Sequence, residues 1–242
     1  MAEQRVAVLR SSTELGRETR LLTFALAPDA EFPYVAGKYI IVDTGLLLAD
    51  GKIRKRAYTL VSFDAEAKVF EIAVRHVGVA TEFLHALTPG QELRFSGPWG
   101  KYLPHEPDVA EKIWVVATDT GITAALGLLQ DDELKSRPGS VELVWWLDSP
   151  DYFLPKGFVE EKIGTGLKSF EVIAARAIGD VERVVEGQRW MAERLERERP
   201  SRVYLSGDGL VVLPWMEMLI AAGVPGDRIH IETFFNHAKS KA

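Results

Sequence analysis

The chain has 242 residues, a formal charge of −6 and no cysteine. That length suggests one large domain or two of about 100–150 residues, and the negative charge argues against non-specific nucleic-acid binding. The missing thiols exclude disulfides, thiolate metal sites, cysteine nucleophiles and a cysteine-ligated iron–sulfur cluster within this chain.

The five histidines are scattered without metal-ligand spacing, so no metal is expected. Residues 1–5 carry no signal-peptide pattern, and no apolar run reaches the roughly 20 residues of a bilayer span. The expectation is a soluble cytoplasmic protein with neither a nucleic-acid nor a membrane partner.

Residues 5–10 read as a strand, 11–19 as a turn and 20–26 as a second strand. Gly37 opens a third strand through Tyr39 and Val42. Residues 45–51 read as a loop with an apolar centre, closed by the turn signal Asp50-Gly51. Arg56-Ala57-Tyr58-Thr59-Leu60-Val61-Ser62 then alternates, with Ala57, Thr59 and Val61 on one side of a strand and Arg56, Tyr58, Leu60 and Ser62 on the other. It offers a cation, an aromatic plane and a hydroxyl within four residues. An anion bearing a flat ring could use all three. Taken alone, the stretch reads equally well as a strand with a basic leader, Arg54-Lys55-Arg56, on its wet face.

A turn over 63–66 and a strand over 69–75 follow; strands this short and close suggest a barrel or sandwich. At Gly78-Val79-Ala80-Thr81 the pattern breaks into a short helix over 82–87 with Thr81 as its N-cap. Its N-terminus reads either as a phosphate site or as a capped connector. A strand over 93–95 and a tight aromatic turn over 97–102 come next. Pro104-His105-Glu106-Pro107-Asp108 marks a boundary, since two prolines and two acids break any periodic element.

Beyond it the texture changes. Residues 112–117, 141–147, 170–174, 203–205 and 229–235 read as buried strands, alternating with helices that start near Ile122, Lys156, Asp180 and Leu213. Such alternation reads as a doubly wound α/β domain. Ligands in that architecture sit beyond the carboxyl ends of the strands, where Thr118-Asp119-Thr120-Gly121 and Ser206-Gly207-Asp208-Gly209 stand. The tail 236–242 reads as mobile.

The order of these motifs resembles the ferredoxin–NADP⁺ reductase superfamily over almost the full length. Arg56-Ala57-Tyr58-Thr59-Leu60 is similar to its Arg-x-Tyr-Ser/Thr flavin motif, and Pro33 through Gly37, Tyr39 and Val42 to the segment before it. Gly78-Val79-Ala80-Thr81 resembles the phosphate turn, and Gly97-Pro98-Trp99-Gly100 the Gly-Pro-aromatic-Gly turn. Ala117-Thr118-Asp119-Thr120-Gly121-Ile122 is similar to the Ala-Thr-Gly-Thr-Gly nucleotide turn, Tyr204-Leu205-Ser206-Gly207 to Tyr-x-Cys-Gly, and Ile231-Glu232-Thr233-Phe234-Phe235 to the C-terminal strand.

The resemblance implies an N-terminal antiparallel β-barrel that binds FAD (1–104), then a doubly wound parallel-sheet NAD(P)-binding domain (105–242). Arg56 would pair with the FAD pyrophosphate, Tyr58 stack on the ring with Ala57 beside it, and Thr59 place its hydroxyl near flavin N5. Gly78, Val79, Ala80 and Thr81 would hold the same pyrophosphate, and Ala73, Val74 and Arg75 would run past the dinucleotide. The nicotinamide of NAD(P)H would enter between Thr120-Gly121 and Ser206-Gly207, with Asp208 beside it, and pass a hydride to flavin N5. Thr59, Ser206 and Glu232 are the implied catalytic residues, with Phe234 and Phe235 flanking the second flavin face. Arg176 could meet a 2′-phosphate or lie on the surface.

The chain departs from the family pattern in its second half. Asp119 stands for a glycine, Ser206 for a cysteine, Asp208 for a proline, and Ala124 where a proline is common. A carboxylate beside a pyrophosphate is repulsive unless turned away or neutralised. The leading expectation is an FAD-dependent NAD(P)H oxidoreductase that serves a separate acceptor, a ferredoxin, a flavodoxin or a small molecule. A basic patch of Lys38, Lys52, Arg54, Lys55 and Arg56 could dock an acidic one. The alternative is a flavoprotein whose NAD(P)H binding is weakened or lost, acting as a partner-bound or regulatory module. A ferric-siderophore reductase ranks lower, because Leu60 stands where that family usually has arginine.

Overall fold

The computed structural model describes residues 3–235 apart from 17, 50, 63–67, 106–111, 137–138 and 150–152. The expected turn at 63–66, the Asp50 half of the Asp-Gly signal, boundary residues 106–108 and the tail 236–242 lie outside the described residues.

Six strands build the first half: β1 (Gln4–Gly16), β2 (Thr19–Ala25), β3 (Tyr39–Leu47), β4 (Ile53–Thr59), β5 (Val69–Arg75) and β6 (Glu92–Trp99). They form an antiparallel sheet in the order β4-β3-β6-β1-β2-β5. Its edges meet just past Thr59. There the Val61 N–H donates to the Glu71 carbonyl at 2.9 Å, and the Glu71 N–H donates to Ser62 Oγ at 2.9 Å. The sheet thus curls into a barrel. Its core is aromatic: Phe95 meets Phe32 and Phe70 edge-on, each at 5.3 Å between centroids, the geometry that opposed ring quadrupoles favour.

Three expectations change here. Residues 11–16, read as turn, continue β1 and pair with β2 from Ser11↔Thr23 onward, because bulges after Leu9 and Glu14 interrupt the simple alternation. The Gly97-Pro98-Trp99 segment belongs to β6 and pairs Trp99 with Tyr39. Alternation in the flavin-motif stretch stops at Thr59: Leu60 and Val61 are both buried, Leu60 in the barrel core and Val61 against the second domain.

The second half is a parallel sheet of β7 (Ile113–Thr118), β8 (Val141–Leu147), β9 (Ser169–Ala174), β10 (Arg202–Asp208) and β11 (Ile229–Phe235), in the order β11-β10-β7-β8-β9. Helices α2 (Ile122–Leu128), a short α3 (Asp132–Lys135), α4 (Lys156–Ile163), α5 (Val181–Arg197) and α6 (Gly209–Ala221) connect them. Successive residues of β7 point to opposite faces. Ile113, Val115 and Ala117 pack with α2 and α4, while Trp114 and Val116 pack with α5 and α6. The chain leaves β7 toward β8 on one side and returns as β10 on the other. The switch point, where such folds bind ligands, therefore lies between β7 and β10. Helix α6 begins four residues before the expected Leu213, because Asp208 caps it and Pro214 is accommodated inside.

The two halves share apolar packing. Leu22 and Phe24 of β2 point into the barrel, whereas Leu21 of the same strand joins Ala73, Tyr102 and the α2 face of the parallel sheet. A Cβ on Gly127 of α2 would stand 2.3 Å from the Leu60 carbonyl, so only glycine allows this approach. Lys162 of α4 pairs with Glu71 of β5 across the junction.

Candidate functional site

A cleft of about 540 Å³ runs between the two domains, within the range of small-molecule sites. Barrel residues form one wall. Arg54, Arg56, Ala57, Tyr58 and Thr59 come from β4, Ala73 and Arg75 from β5, and Val77 through Thr81 from the turn after it. The other wall is Thr120, Thr123, Phe153, Ile178 and Phe234. Three arginines line it and, among the described residues, no acid.

Helix α1 (Val79–Ala86) supplies the fixed dipole. Its N-cap is Gly78 and not Thr81, which sits a turn further in. The Thr81 hydroxyl accepts from Val77 N–H at 2.8 Å and Gly78 N–H at 3.0 Å, and donates to the Gly78 carbonyl at 2.7 Å. Thr81 thus ties down the turn, and the N–H groups of Val79 and Ala80, both cleft-lining, are the ones left for an anion. Gly78 has φ 155° and open space where a Cβ would stand.

Tyr58 is largely buried against the wall. Burial pushes its phenol up to about 12, partly offset by the Arg56 guanidinium. It is therefore a neutral aromatic plane at any ordinary pH. The Arg56 head group is exposed and donates to the Lys55 carbonyl at 2.9 Å. These features fit a flavin dinucleotide: cations and helix amides for a pyrophosphate, and an aromatic plane with a hydroxyl for the ring.

The structure gathers Arg56, Ala57, Tyr58, Thr59, Ala73, Arg75, Gly78, Val79, Ala80, Thr81 and Thr120 around this one cleft. Val74 is not among them, because its side chain fills the barrel core and its carbonyl meets His85 Nε2 at 2.9 Å. Gly121, Ser206, Gly207, Asp208 and Glu232 do not line it either. The two segments expected to flank the nicotinamide, Thr120-Gly121 and Ser206-Gly207, are in close backbone contact. A Cβ on Gly121 would lie 2.5 Å from the Ser206 carbonyl, and one on Gly207 would lie 2.2 Å from Thr118 Oγ1. These glycines serve backbone contact between the two turns. Ser206 Oγ donates to the Gly121 carbonyl at 3.0 Å, and the Asp208 N–H donates to Thr118 Oγ1 at 2.7 Å.

Asp119 also differs from expectation. Its side chain is fully buried, turned from the cleft, and paired with the buried Arg183 of α5 at 2.6 Å. Burial pushes its carboxyl up to about 6; Arg183 pulls the other way, and Asp148 and Asp208 add to the rise. The repulsion expected of Asp119 is thereby met by a built-in cation. Asp208 accepts from Leu210 N–H at 2.9 Å and so caps α6 from within. Glu232 stands opposite Ser206 in the β10–β11 register, with its carboxyl raised by burial. Among the described residues no group of three or more His, Asp or Glu could hold a metal.

Sequence reasoning missed Arg54, Val77, Thr123, Phe153 and Ile178 as cleft residues. Arg54 was visible as part of a basic leader. Phe153 and Ile178 come from loops after β8 and β9, and no local pattern marks them. Arg176 pairs with Asp180 at 3.5 Å in an exposed setting.

Residues 6–103 match the family described as an oxidoreductase FAD-binding domain. Ferredoxin–NADP reductase B of Sorangium cellulosum is 33% identical over 147 residues, covering 60% of this chain and 56% of that protein. The beta subunit of heme-dependent oxidative N-demethylase from Ectopseudomonas mendocina is 27% identical over 240 residues, covering 97% of this chain and 69% of that protein. Among solved structures, the CS-b5R domains of human Ncb5or in the NAD⁺ form share the fold, with a TM-score of 0.76 at 18% identity over 97% of this chain and 70% of that one. The chain spans about half the length of most of the curated relatives it matches. The first half thus matches an FAD-binding domain of oxidoreductases, and the chain as a whole shares the two-domain fold of the Ncb5or structure.

Proposed function

We propose that the protein is an FAD-dependent oxidoreductase that takes reducing equivalents from NADH or NADPH and passes them to a separate acceptor. Residues 1–104 would form its flavin half and 105–242 its nicotinamide half. The observation that carries this reading is the cleft walled by both domains, with three arginines, the α1 N-terminus and the Tyr58 plane on one side and Thr120 and Phe234 on the other.

In this reading Arg56 and the Val79 and Ala80 amides hold the pyrophosphate, and Tyr58 fixes the ring plane. Thr59, which is 6% exposed, presents its hydroxyl at the cleft floor. Phe153, Ile178 and Phe234 exclude water. The chemistry FAD supplies when bound is hydride acceptance from a nicotinamide and release of electrons one or two at a time. Ser206 and Glu232 lie behind this wall and would act through position. The acceptor is proposed to be a ferredoxin or flavodoxin, in keeping with the Sorangium relative. A heme protein is the variant favoured by the full-length match to the demethylase subunit. With no cysteine among the 242 residues, a thiolate-held cluster would have to lie outside them.

A second reading has one specific observation behind it. The Asp208 carboxylate already caps α6, and the Gly121 and Gly207 turns are in backbone contact. A nicotinamide nucleotide would therefore bind in altered geometry, or weakly. Anaerobic titration of the purified protein tests both. The first reading expects a yellow protein whose visible flavin band bleaches with stoichiometric NADH or NADPH; a yellow protein that neither bleaches supports the second; a colourless protein that fails to take up FAD sinks both. Arg56→Ala is expected to weaken FAD binding about tenfold to a hundredfold, the loss of a charge-assisted hydrogen bond.

A further inference from the structure

The barrel wall of the cleft reaches further than a pyrophosphate and a ring account for. Arg54, Arg56 and Tyr58 all line the cleft and occupy alternate positions of β4. In the β3–β4 register Tyr58 stands opposite Ile40 and Arg56 opposite Val42. Both partners are buried in the barrel core, which Leu84 of α1 joins. The three side chains therefore leave β4 on the same face, the one toward α1, at steps of about 7 Å along the strand.

Arg54 is the member without a task. Its backbone carbonyl accepts from Thr44 Oγ1 at 2.8 Å, which fixes the strand, while among the described residues its guanidinium has no hydrogen bond or ion pair. Arg56 and the Val79 and Ala80 amides already answer a doubly charged pyrophosphate. The same wall leaves two large apolar side chains open to the cleft on either side of Gly78: Val77 is 72% exposed and Val79 51% exposed. Among the described residues no carboxylate or carboxamide side chain lines the cleft to read the polar edge of a base.

We infer, resting on the flavin reading above, that Arg54 with Val77 and Val79 forms the adenosine end of the cleft and makes it select the dinucleotide FAD over the mononucleotide FMN. The order of chemistry along β4 points there. Tyr58 takes the ring and Arg56 the pyrophosphate, so Arg54 lies one step beyond the pyrophosphate, on the side away from the ring. In FAD the group at that place is adenosine, which FMN lacks. A planar guanidinium suits the face of a purine, and the exposed valines cover apolar surface of the base and sugar. The competing role is a further contact to the pyrophosphate. Charge separates the two: a pyrophosphate needs the cation, whereas the face of a base needs the plane.

Titration of the full chain, prepared free of flavin, with FAD and with FMN in turn tests this, the change in flavin fluorescence giving each dissociation constant. FAD is expected to bind more tightly than FMN. Arg54→Gln is expected to weaken FAD about tenfold and to leave FMN unchanged. Arg54→Tyr keeps a plane without the charge and Arg54→Lys the charge without the plane, so the tyrosine variant is expected to hold FAD more tightly than the lysine variant. Circular dichroism and an unchanged thermal midpoint show that each variant is folded. A lysine variant that holds FAD as tightly as the tyrosine variant, or more tightly, assigns the side chain to the pyrophosphate and overturns the proposal. Equal affinity of the unaltered protein for FAD and FMN overturns it too, as does an Arg54→Gln change that weakens both flavins alike or neither. Failure to bind either flavin overturns the flavin reading itself, and the adenosine assignment with it.

Discussion

Asp119 lies in the left-handed region, at φ 50°, where a glycine would be relaxed. Removing its side chain relieves strain of about 1–3 kcal/mol. It also strands Arg183, which is 1% exposed, without its carboxylate, at a cost of about 3–5 kcal/mol. The second effect is larger, so Asp119→Gly is expected to lower the urea midpoint. Pairing it with Arg183→Leu is expected to restore most of the loss; a midpoint raised by the single change would refute this. The aspartate was legible in the sequence as a departure from a nucleotide turn, but its partner was not. Arg183 lies 64 residues away on a helix full of arginines and glutamates. His230 gives a pH prediction. Burial first, then His105 and Arg202, hold its ring down to about 4. Unfolding frees the ring to take a proton near its ordinary 6.5, so acid favours the unfolded chain between about 6.5 and 4. Stability should fall across that interval, and His230→Phe should flatten the fall in a series of melts at different pH.

At the scale of elements, glycine positions separate packing from propensity. Gly127 of α2 meets the Leu60 carbonyl, so Gly127→Ala must push the helix from β4 and is expected to cost about 1–3 kcal/mol. Gly157 of α4 has open space at its Cβ position, and Gly157→Ala is expected to be neutral or to stabilise by up to about 1 kcal/mol. Thermal midpoints that moved alike for the two would show that the domain contact is not tight. Strand β7 and helix α5 were legible because each carries its pattern within one window: a continuous apolar run in one, a polar and an apolar face in the other. The ends of elements were not. The start of α1 is set by Thr81 bonding backward to Val77 and Gly78, and the end of β4 by Leu60 and Val61 entering two different cores. Both outcomes depend on which neighbours arrive, which spacing does not encode.

For the whole molecule, the shared packing has a consequence. Leu21, Val61, Ala73 and Tyr102 of the first half belong to the same apolar cluster as Ile113, Leu126 and Trp145 of the second. Unfolding either half exposes surface of the other, so calorimetry is expected to show one cooperative transition. Two resolved transitions would mean that the halves are independent, and would favour the boundary near residue 104 as a true hinge. The linker is held as well: the His105 N–H donates to the Tyr204 hydroxyl at 3.1 Å and its ring stacks on His230 at 4.1 Å. The sequence by itself determined the order of the two architectures and the identity of the barrel wall. Strand alternation, apolar runs and the Arg56-Tyr58-Thr59 motif are local, and each is written in a few contiguous residues. Only the tertiary structure decided that Thr120 faces the cleft while Gly121, Ser206 and Gly207 close on one another, and that the Asp119 charge is spent on Arg183. Those outcomes turn on backbone separations of a few ångströms between segments more than 60 residues apart in the chain, and no local pattern of residue types encodes such distances.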